Sequence, residues 1–321
     1  MERKRVIITE YIDPAGLEIL ARYFDLVYLP DSPKLKLEKV IAEAYAIGVR
    51  LAPITAELMA SAPHLKIVAN HGVGYDNIDV AAATARRIVV VTTPKANAVS
   101  VAEHILSLML CLANRICVAN TDLKAGKFVQ REDYIGVELK GKTLGVVGLG
   151  RIGSETARKC KSGFGMNIMA YDPYLSAETF ERTGYRRTET LGPLLEDADF
   201  VVLCVPLTPE TTNMIGAREL SWMKPSSFLV NTSRGGIVNE AALYKALSEG
   251  KIAGSAMDVF VKEPPTPDNP LLTLDNFIAT PHVAGATYAA MRRMATDMAE
   301  EIVRVLSGEQ PLYPLNPEVY E

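Results

Sequence analysis

The sequence predicts an α/β protein built from two domains with doubly wound parallel sheets, and three observations predict it. Short apolar runs of strand length alternate with helical segments along the 321-residue chain. The stretch Thr143 to Gly153, Thr-Leu-Gly-Val-Val-Gly-Leu-Gly-Arg-Ile-Gly, passes from a buried-strand pattern directly into glycines spaced G-x-G-x-x-G. The part before it is itself an alternating α/β unit, so the chain has the length and pattern for two substantial cores.

Taken in order, residues 6–9 read as the first strand, and Asp13-Pro14 opens a helix through about Tyr23. Residues 26–29 read as a second strand. Further strands are expected at Ile47 to Arg50 and Leu65 to Ala69, with a helix after Thr55. The loop Asn70 to Asp79 follows. Gly72 and Gly74 would let backbone amides face an anion, or would simply make a tight strand-to-helix turn. Ser100-Val-Ala-Glu103 has the spacing of a capping box, opening a helix to about Ile116. Ile105, Leu106, Leu108, Met109, Leu110 and Leu112 make that helix apolar almost all round, which predicts burial on every side. A homodimer through the 100–116 helix is the expectation. From Lys142 the βα units resume, with strands at Phe200 to Val205, Phe228 to Asn231, Ala253 to Met257 and Phe277 to Ala279. A last helix is expected over Ala286 to Ser307. The tail Gln310 to Glu321 holds three prolines and should wrap back onto the first domain.

The glycine run has a physical reading. Gly148 permits a tight turn, Gly150 lets backbone approach a pyrophosphate, and Gly153 lets the next helix pack close to the strand. That helix, from Arg151 to about Gly163, aims its free N–H groups at the phosphates. A second strand, Asn167 to Tyr171, ends in Asp172, where a carboxylate would take the ribose hydroxyls of a dinucleotide. A carboxylate there repels a 2′-phosphate, so NAD is favoured over NADP. The alternative for Asp172 is a turn residue before Pro173.

Composition narrows the class. Apolar residues make up 48% and charged residues 22%, ordinary for a globular protein. Net charge is −4 with no long basic run, which argues against nucleic acid as a partner. The apolar run after Met1 to Arg5 is too short for a signal peptide, and no uninterrupted apolar run reaches 18 residues. Cys111, Cys117, Cys160 and Cys204 lack C-x-x-C spacing and read as reduced thiols. A cytoplasmic protein with no membrane contact and no metal is expected.

Three loops after strands hold the reactive candidates: Asn231 to Gly236, Asp258 to Pro265 and Thr280 to Gly285. They offer Arg234, Glu263 and His282. Hydride transfer to a 2-oxo acid needs these groups. An arginine fork holds the carboxylate and polarises the carbonyl. A histidine passes a proton to the nascent alkoxide. A glutamate beside it fixes the tautomer and favours the protonated ring.

On these residues the chain resembles the D-isomer-specific 2-hydroxyacid dehydrogenases over essentially its full length. The carrying stretches are Gly72 to Asp79, Gly148 to Gly153, Pro206 to Thr212, Asn231 to Gly236, Asp258 to Glu263 and Pro281 to Gly285. The resemblance implies two Rossmann-like or flavodoxin-like domains with an active-site cleft between them. The substrate domain would be discontinuous, 1–99 plus 290–321, around a nucleotide domain at 100–289. It places catalysis on Arg234, Glu263 and His282. It places NAD contacts on Gly148, Gly150, Arg151, Ile152, Gly153, Asp172, Val205, Pro206, Thr232, Ser233, Arg234, Asp258, His282 and Gly285. Substrate contacts would come from Arg50, the amides of Val73 and Gly74, Arg234 and His282.

Within the family, Asn97 to Glu103, Gly148 to Gly153 and Tyr171-Asp172-Pro173 look most like phosphoglycerate dehydrogenases, and Arg50 and Arg131 match arginines near the substrate there. Asn70-His71 departs from them, because many have an arginine before the glycine loop. The expected function is NAD-linked hydride transfer to or from a small D-2-hydroxy acid. Phosphoglycerate dehydrogenase is the alternative within the class. An NAD(H)-sensing, corepressor-like binding protein is the alternative outside it. His64, His71 and His104 are given no chemistry.

Overall fold

Strands form where short runs of Val, Ile, Leu and Ala lie between turn residues. A computed structural model describes residues 3–32, 34–128 and 130–321 of the chain. The first part runs β1 (Arg5–Ile8), α1 (Pro14–Tyr23), β2 (Asp25–Tyr28), α2 (Leu37–Val40), β3 (Ala44–Val49), α3 (Ala56–Ala60), β4 (Ile67–Asn70), α4 (Val80–Ala85) and β5 (Val89–Val91). Then come α5 (Ala98–Ala113), α6 (Ile116–Lys124), β6 (Thr143–Val147), α7 (Arg151–Phe164), β7 (Asn167–Tyr171), α8 (Ala177–Thr183) and β8 (Arg186–Arg187). The remainder is α9 (Leu191–Asp197), β9 (Phe200–Leu203), α10 (Ala217–Trp222), β10 (Phe228–Asn231), α11 (Glu240–Ser248), β11 (Gly254–Met257), β12 (Phe277–Ala279) and α12 (Tyr288–Leu306). Two compact units result: residues 1–97 with 286–321, and residues 98–285.

The first unit is a five-stranded parallel sheet in the order β2-β1-β3-β4-β5. Its strands are apolar at successive positions because both faces are covered. Val6, Ile8, Ala46, Ile67 and Val91 face the layer containing Leu20 of α1 and Met298 of α12. Ile7, Ile47, Val49, Val68 and Val90 face the opposite layer with Met59 and Ala83. Asp13 caps α1 by accepting the Ala15 N–H at 2.9 Å, with Pro14 in the first turn. At Gly16 the two helices come so close that a Cβ would lie 2.6 Å from the Ala295 carbonyl oxygen. The proline-rich tail is tied to β5. The Asn316 side chain accepts from the Val90 N–H at 2.8 Å and donates to Thr84 Oγ1 and the Ile88 carbonyl at 2.9 Å each.

The second unit is a seven-stranded parallel sheet, order β12-β11-β10-β9-β6-β7-β8. The chain runs outward from β6 to β7 and β8, then returns to β6's other side with β9. The strand order therefore reverses at β6, where ligands of such sheets bind beyond the carboxyl ends. Leu144, Val146, Phe200 and Val230 pack under α5 and α7, and Val147, Val201, Leu203 and Leu229 under α9 to α11.

Two expectations are corrected in this unit. The helix opens at Ala98, so Ser100 and Glu103 lie inside it and form no capping box. Glu103 instead pairs with Lys159 of α7 at 3.0 Å. The helix also ends at Ala113, because Arg115 takes a left-handed φ of 54° before α6 begins. Nor is α5 buried on every side. Val99, Glu103 and Ser107 form an exposed stripe at four-residue spacing, with Leu110, Cys111 and His104 half-buried. Among the described residues no single helix is long and apolar enough to cross a membrane. Only α5 and α6 taken together reach that length and composition, bent by 64°, and α5 is part of the unit's core.

Candidate active site

The site residues of the second unit lie in loops that leave the carboxyl ends of its parallel strands. After β6, Gly148 turns at φ +88°. A Cβ there would meet the Cys204 carbonyl oxygen at 2.5 Å, so the turn lies against the end of β9. Gly153, in the first turn of α7, leaves room for the Gly148 carbonyl, which a Cβ would approach to 2.0 Å. At Gly150, by contrast, a Cβ would meet nothing within 4 Å. Asp172 ends β7 and turns its carboxylate back to this loop. Oδ2 accepts the Leu149 N–H at 2.9 Å, and Oδ1 accepts the Tyr174 N–H at 3.0 Å. The carboxylate thus makes a local turn and touches the glycine loop together. Val205 and Pro206 follow β9.

After β10, buried Asn231 shapes the arginine loop. Its Nδ2 donates to the Arg234 carbonyl at 2.9 Å and its Oδ1 accepts the Ser233 N–H at 3.0 Å. Ser233 Oγ donates to the Leu203 carbonyl at 2.6 Å. Gly235 lets this loop touch the next one, since a Cβ would stand 2.0 Å from the Phe260 carbonyl oxygen. Across these loops His282 pairs with Glu263, and the charge of Arg234 reaches Glu263. His282 Nδ1 and Glu263 Oε2 are 2.7 Å apart, and Glu263 Oε1 accepts the Phe260 N–H at 3.0 Å. The two side chains remain 36% and 34% exposed, open enough for a ligand to reach them. Burial pushes the Glu263 carboxyl up. The His282 hydrogen bond, the Phe260 amide and the charges of His282 and Arg234 outweigh it, so Glu263 lies below the ordinary carboxylate range.

His282 sits at φ 53°, the left-handed region that β-carbon-bearing residues seldom occupy. Asp258 holds it there. The Asp258 carbonyl accepts the His282 N–H at 2.8 Å. Its carboxylate, fully buried, accepts the Val283 and Ala284 N–H groups at 2.8 Å each and the Thr280 hydroxyl at 2.6 Å. Asp258 is therefore a structural centre of the loop from Thr280 to Gly285.

Arg50, Val73 and Gly74 belong to the first unit. Arg50 follows β3, where the Glu10 carboxylate accepts the N–H groups of Arg50, Leu51 and Ala52 at 2.7 Å each. Val73 and Gly74 follow β4, in a loop braced by the Thr93 N–H on the Gly72 carbonyl at 2.9 Å. His71, only 2% exposed, starts this loop. Burial, then the Arg50 charge, pushes its ring down to about 4, so it is neutral at pH 7. Arg131 lies in an exposed 3₁₀ turn, Arg131–Tyr134, of the second unit.

Known proteins resemble this arrangement. The family model for the NAD binding domain of D-isomer specific 2-hydroxyacid dehydrogenases matches residues 106–284. The chain belongs to the D-isomer-specific 2-hydroxyacid dehydrogenases. It is 47% identical to a D-3-phosphoglycerate dehydrogenase of Archaeoglobus fulgidus over 306 residues, 95% of this chain and 58% of that one. It is 42% identical to a glyoxylate reductase of Korarchaeum cryptofilum over 324 residues, 99% of this chain and 97% of that one. The NADPH-dependent glyoxylate/hydroxypyruvate reductase of Sinorhizobium meliloti, solved with NADP and malonate, superposes with a TM-score of 0.86 at 33% identity, covering 98% of both chains. The chain spans about 58% of the length of the phosphoglycerate dehydrogenases of Archaeoglobus fulgidus and Methanocaldococcus jannaschii that it matches.

The family match is to an NAD binding domain, and the residues of the second unit fit a dinucleotide. Gly150 leaves open space above the start of α7, where the N-terminal amides of a 14-residue helix favour a pyrophosphate. Asp172 stands beside that loop, each of its carboxylate oxygens holding one N–H and keeping a lone pair for a further donor. Sequence reasoning missed Asn231, Glu10 and the bracing role of Asp258. Asn231 carries a local signal, an asparagine at a strand end two residues before Ser233. Glu10 contacts residues 40 and more positions away, and no short-range pattern points to it.

Proposed function

We propose that this chain is an NAD-dependent dehydrogenase that interconverts a small D-2-hydroxy acid and its 2-oxo acid. The observation that carries the reading is the 2.7 Å His282–Glu263 pair beside the Arg234 loop, at the strand ends of a sheet that matches an NAD-binding domain. Bound NADH supplies the hydride. Arg234, a planar fork, binds the substrate carboxylate and draws electron density from the carbonyl. His282 turns Nδ1 to Glu263, which leaves Nε2 to donate a proton to the carbonyl oxygen, and in the reverse direction to take it back. Glu263 holds that tautomer. Arg50 and the amides of Val73 and Gly74 are the proposed substrate contacts of the first unit. Gly148, Gly150, Arg151, Ile152, Gly153, Asp172, Val205, Pro206, Thr232, Ser233, Arg234, Asp258, His282 and Gly285 are the proposed cofactor contacts.

Asp172 favours NAD over NADP. A non-phosphorylated acid is the first choice, since the glyoxylate reductase is matched over nearly its whole length and buried His71 adds no positive charge beside the glycine loop. Phosphohydroxypyruvate is the second, on Arg50 and the similarity to phosphoglycerate dehydrogenases. The assembled Arg234, Glu263 and His282 speak against a purely cofactor-sensing protein. The reading includes a homodimer through the 100–116 region, using the exposed stripe of α5, and a cytoplasmic location consistent with four unpaired cysteines. The test is NADH oxidation at 340 nm with glyoxylate, hydroxypyruvate, pyruvate, phosphohydroxypyruvate and longer 2-oxo acids. Turnover of at least one is expected, and none with any of them would overturn the proposal.

A further inference from the structure

We propose that His104, on α5, is a positioning residue for the proton-donor loop, acting through Thr280 and Asp258 on His282. This rests on the reading of His282 as the proton donor. The Nε2 atom of His104 lies 3.1 Å from Thr280 Oγ1, which lies 2.6 Å from Asp258 Oδ1. The direct separation of His104 Nε2 from Asp258 Oδ1 is 3.7 Å, too long for a hydrogen bond, so the connection runs through the hydroxyl.

The proton inventory fixes the direction. Thr280 has one hydroxyl proton, and the short contact to a carboxylate that is fully buried claims it. The hydroxyl oxygen is then the acceptor toward His104, so His104 carries its proton on Nε2. A donor placed on that oxygen strengthens the hydroxyl's own donation, as in any hydrogen-bonded chain in a low-dielectric setting. The chain ends on the carboxylate that also holds the Val283 and Ala284 N–H groups. Those two residues follow His282 directly, and His282 is in a left-handed conformation that only its surroundings maintain. In this chain of contacts neither His104 nor Thr280 is among the proposed cofactor or substrate contacts. Its effect is on where the ring of His282 stands, and misplacement of a catalytic group by a fraction of an ångström lowers turnover.

The experiment compares His104→Gln, His104→Asn and His104→Ala with wild type and with Thr280→Val. Gln places an N–H donor where His Nε2 stands, Asn is too short, and Ala has none. Expected is a fall in kcat for 2-oxo acid reduction of roughly tenfold in His104→Ala, His104→Asn and Thr280→Val. His104→Gln should stay within about twofold of wild type, and calorimetric NADH affinity within about twofold throughout. Nitrogen-15 NMR of histidine-labelled wild type should find the His104 proton on Nε2. Wild-type turnover in His104→Ala, equal loss in Gln and Ala, or a ring with its proton on Nδ1 alone would each overturn the proposal. His282→Ala, assayed in parallel, separates the two levels. Its wild-type turnover would refute the proton-donor reading itself, whatever the His104 series does. Thr280→Val interrupts the same path without altering α5, so the proposal stays testable if a His104 variant fails to fold.

Discussion

His282 offers one ring nitrogen to Glu263 and so has a defined partner for every protonation state. The partner remains a carboxylate well into acid, because Glu263 lies below its ordinary value of 4.5 despite partial burial. Loss of reduction through protonation of Glu263 should therefore set in only below about pH 4.5. Replacing the carboxylate by an amide removes the negative charge facing the ring and keeps the shape. In Glu263→Gln kcat/KM for reduction should fall near neutral pH, because the ring loses the partner that orients it, and the loss that wild type shows below about pH 4.5 should disappear. Superimposable wild-type and Glu263→Gln profiles would show that the pair is structural only.

At the scale of elements, two devices of the first unit make different demands. Asn316 replaces a strand partner for β5 with three side-chain hydrogen bonds, one from the Val90 N–H and one to the Ile88 carbonyl, both buried. Asn316→Ala leaves those groups without partners, at a cost of about 3 kcal/mol. Urea denaturation should find a lower midpoint with an unchanged slope, and a change below about 0.5 kcal/mol would mean that water replaces the side chain. His71 brings a pH dependence. Above pH 6.5 neither the folded nor the unfolded chain protonates it, so it costs nothing. As pH falls from 6.5 toward about 4, the unfolded chain takes up a proton that the buried ring refuses, and stability drops. The loss should reach about 3 kcal/mol, and His71→Gln should remove that share of the acid sensitivity. Equal acid sensitivity in variant and wild type would contradict it.

Strands and glycine turns were legible in the sequence because their causes are local, as the agreement at Asn167–Tyr171, Phe228–Asn231 and Phe277–Ala279 illustrates. The start of α5 was not. Ser100 and Glu103 have capping spacing, but a cap requires extended backbone, and here the chain is already helical from Ala98. The pairing of His282 with Glu263 was legible from their places in strand-end loops and from family likeness. Asp258 and His104 were not, because they make contacts to residues 25 and 176 positions away, whereas the contacts of Asn231 are local.

For the whole molecule, the proposed preference for NAD rests on Asp172, a carboxylate just after β7 that is already engaged with the glycine loop. Asp172→Ala should narrow the NADH over NADPH ratio of kcat/KM, and the lost Leu149 contact should raise KM for both cofactors. An unchanged ratio, or wild-type preference for NADPH, would leave Asp172 as a turn residue. The central claim is hydride transfer to a 2-oxo acid with His282 as proton donor. Its most direct test is stopped-flow NADH oxidation at 340 nm by wild type and His282→Ala on the best acid of the panel. Wild type should turn over and His282→Ala should be slower by roughly 10²–10⁴-fold at saturating NADH. Equal rates for the two proteins would contradict the account.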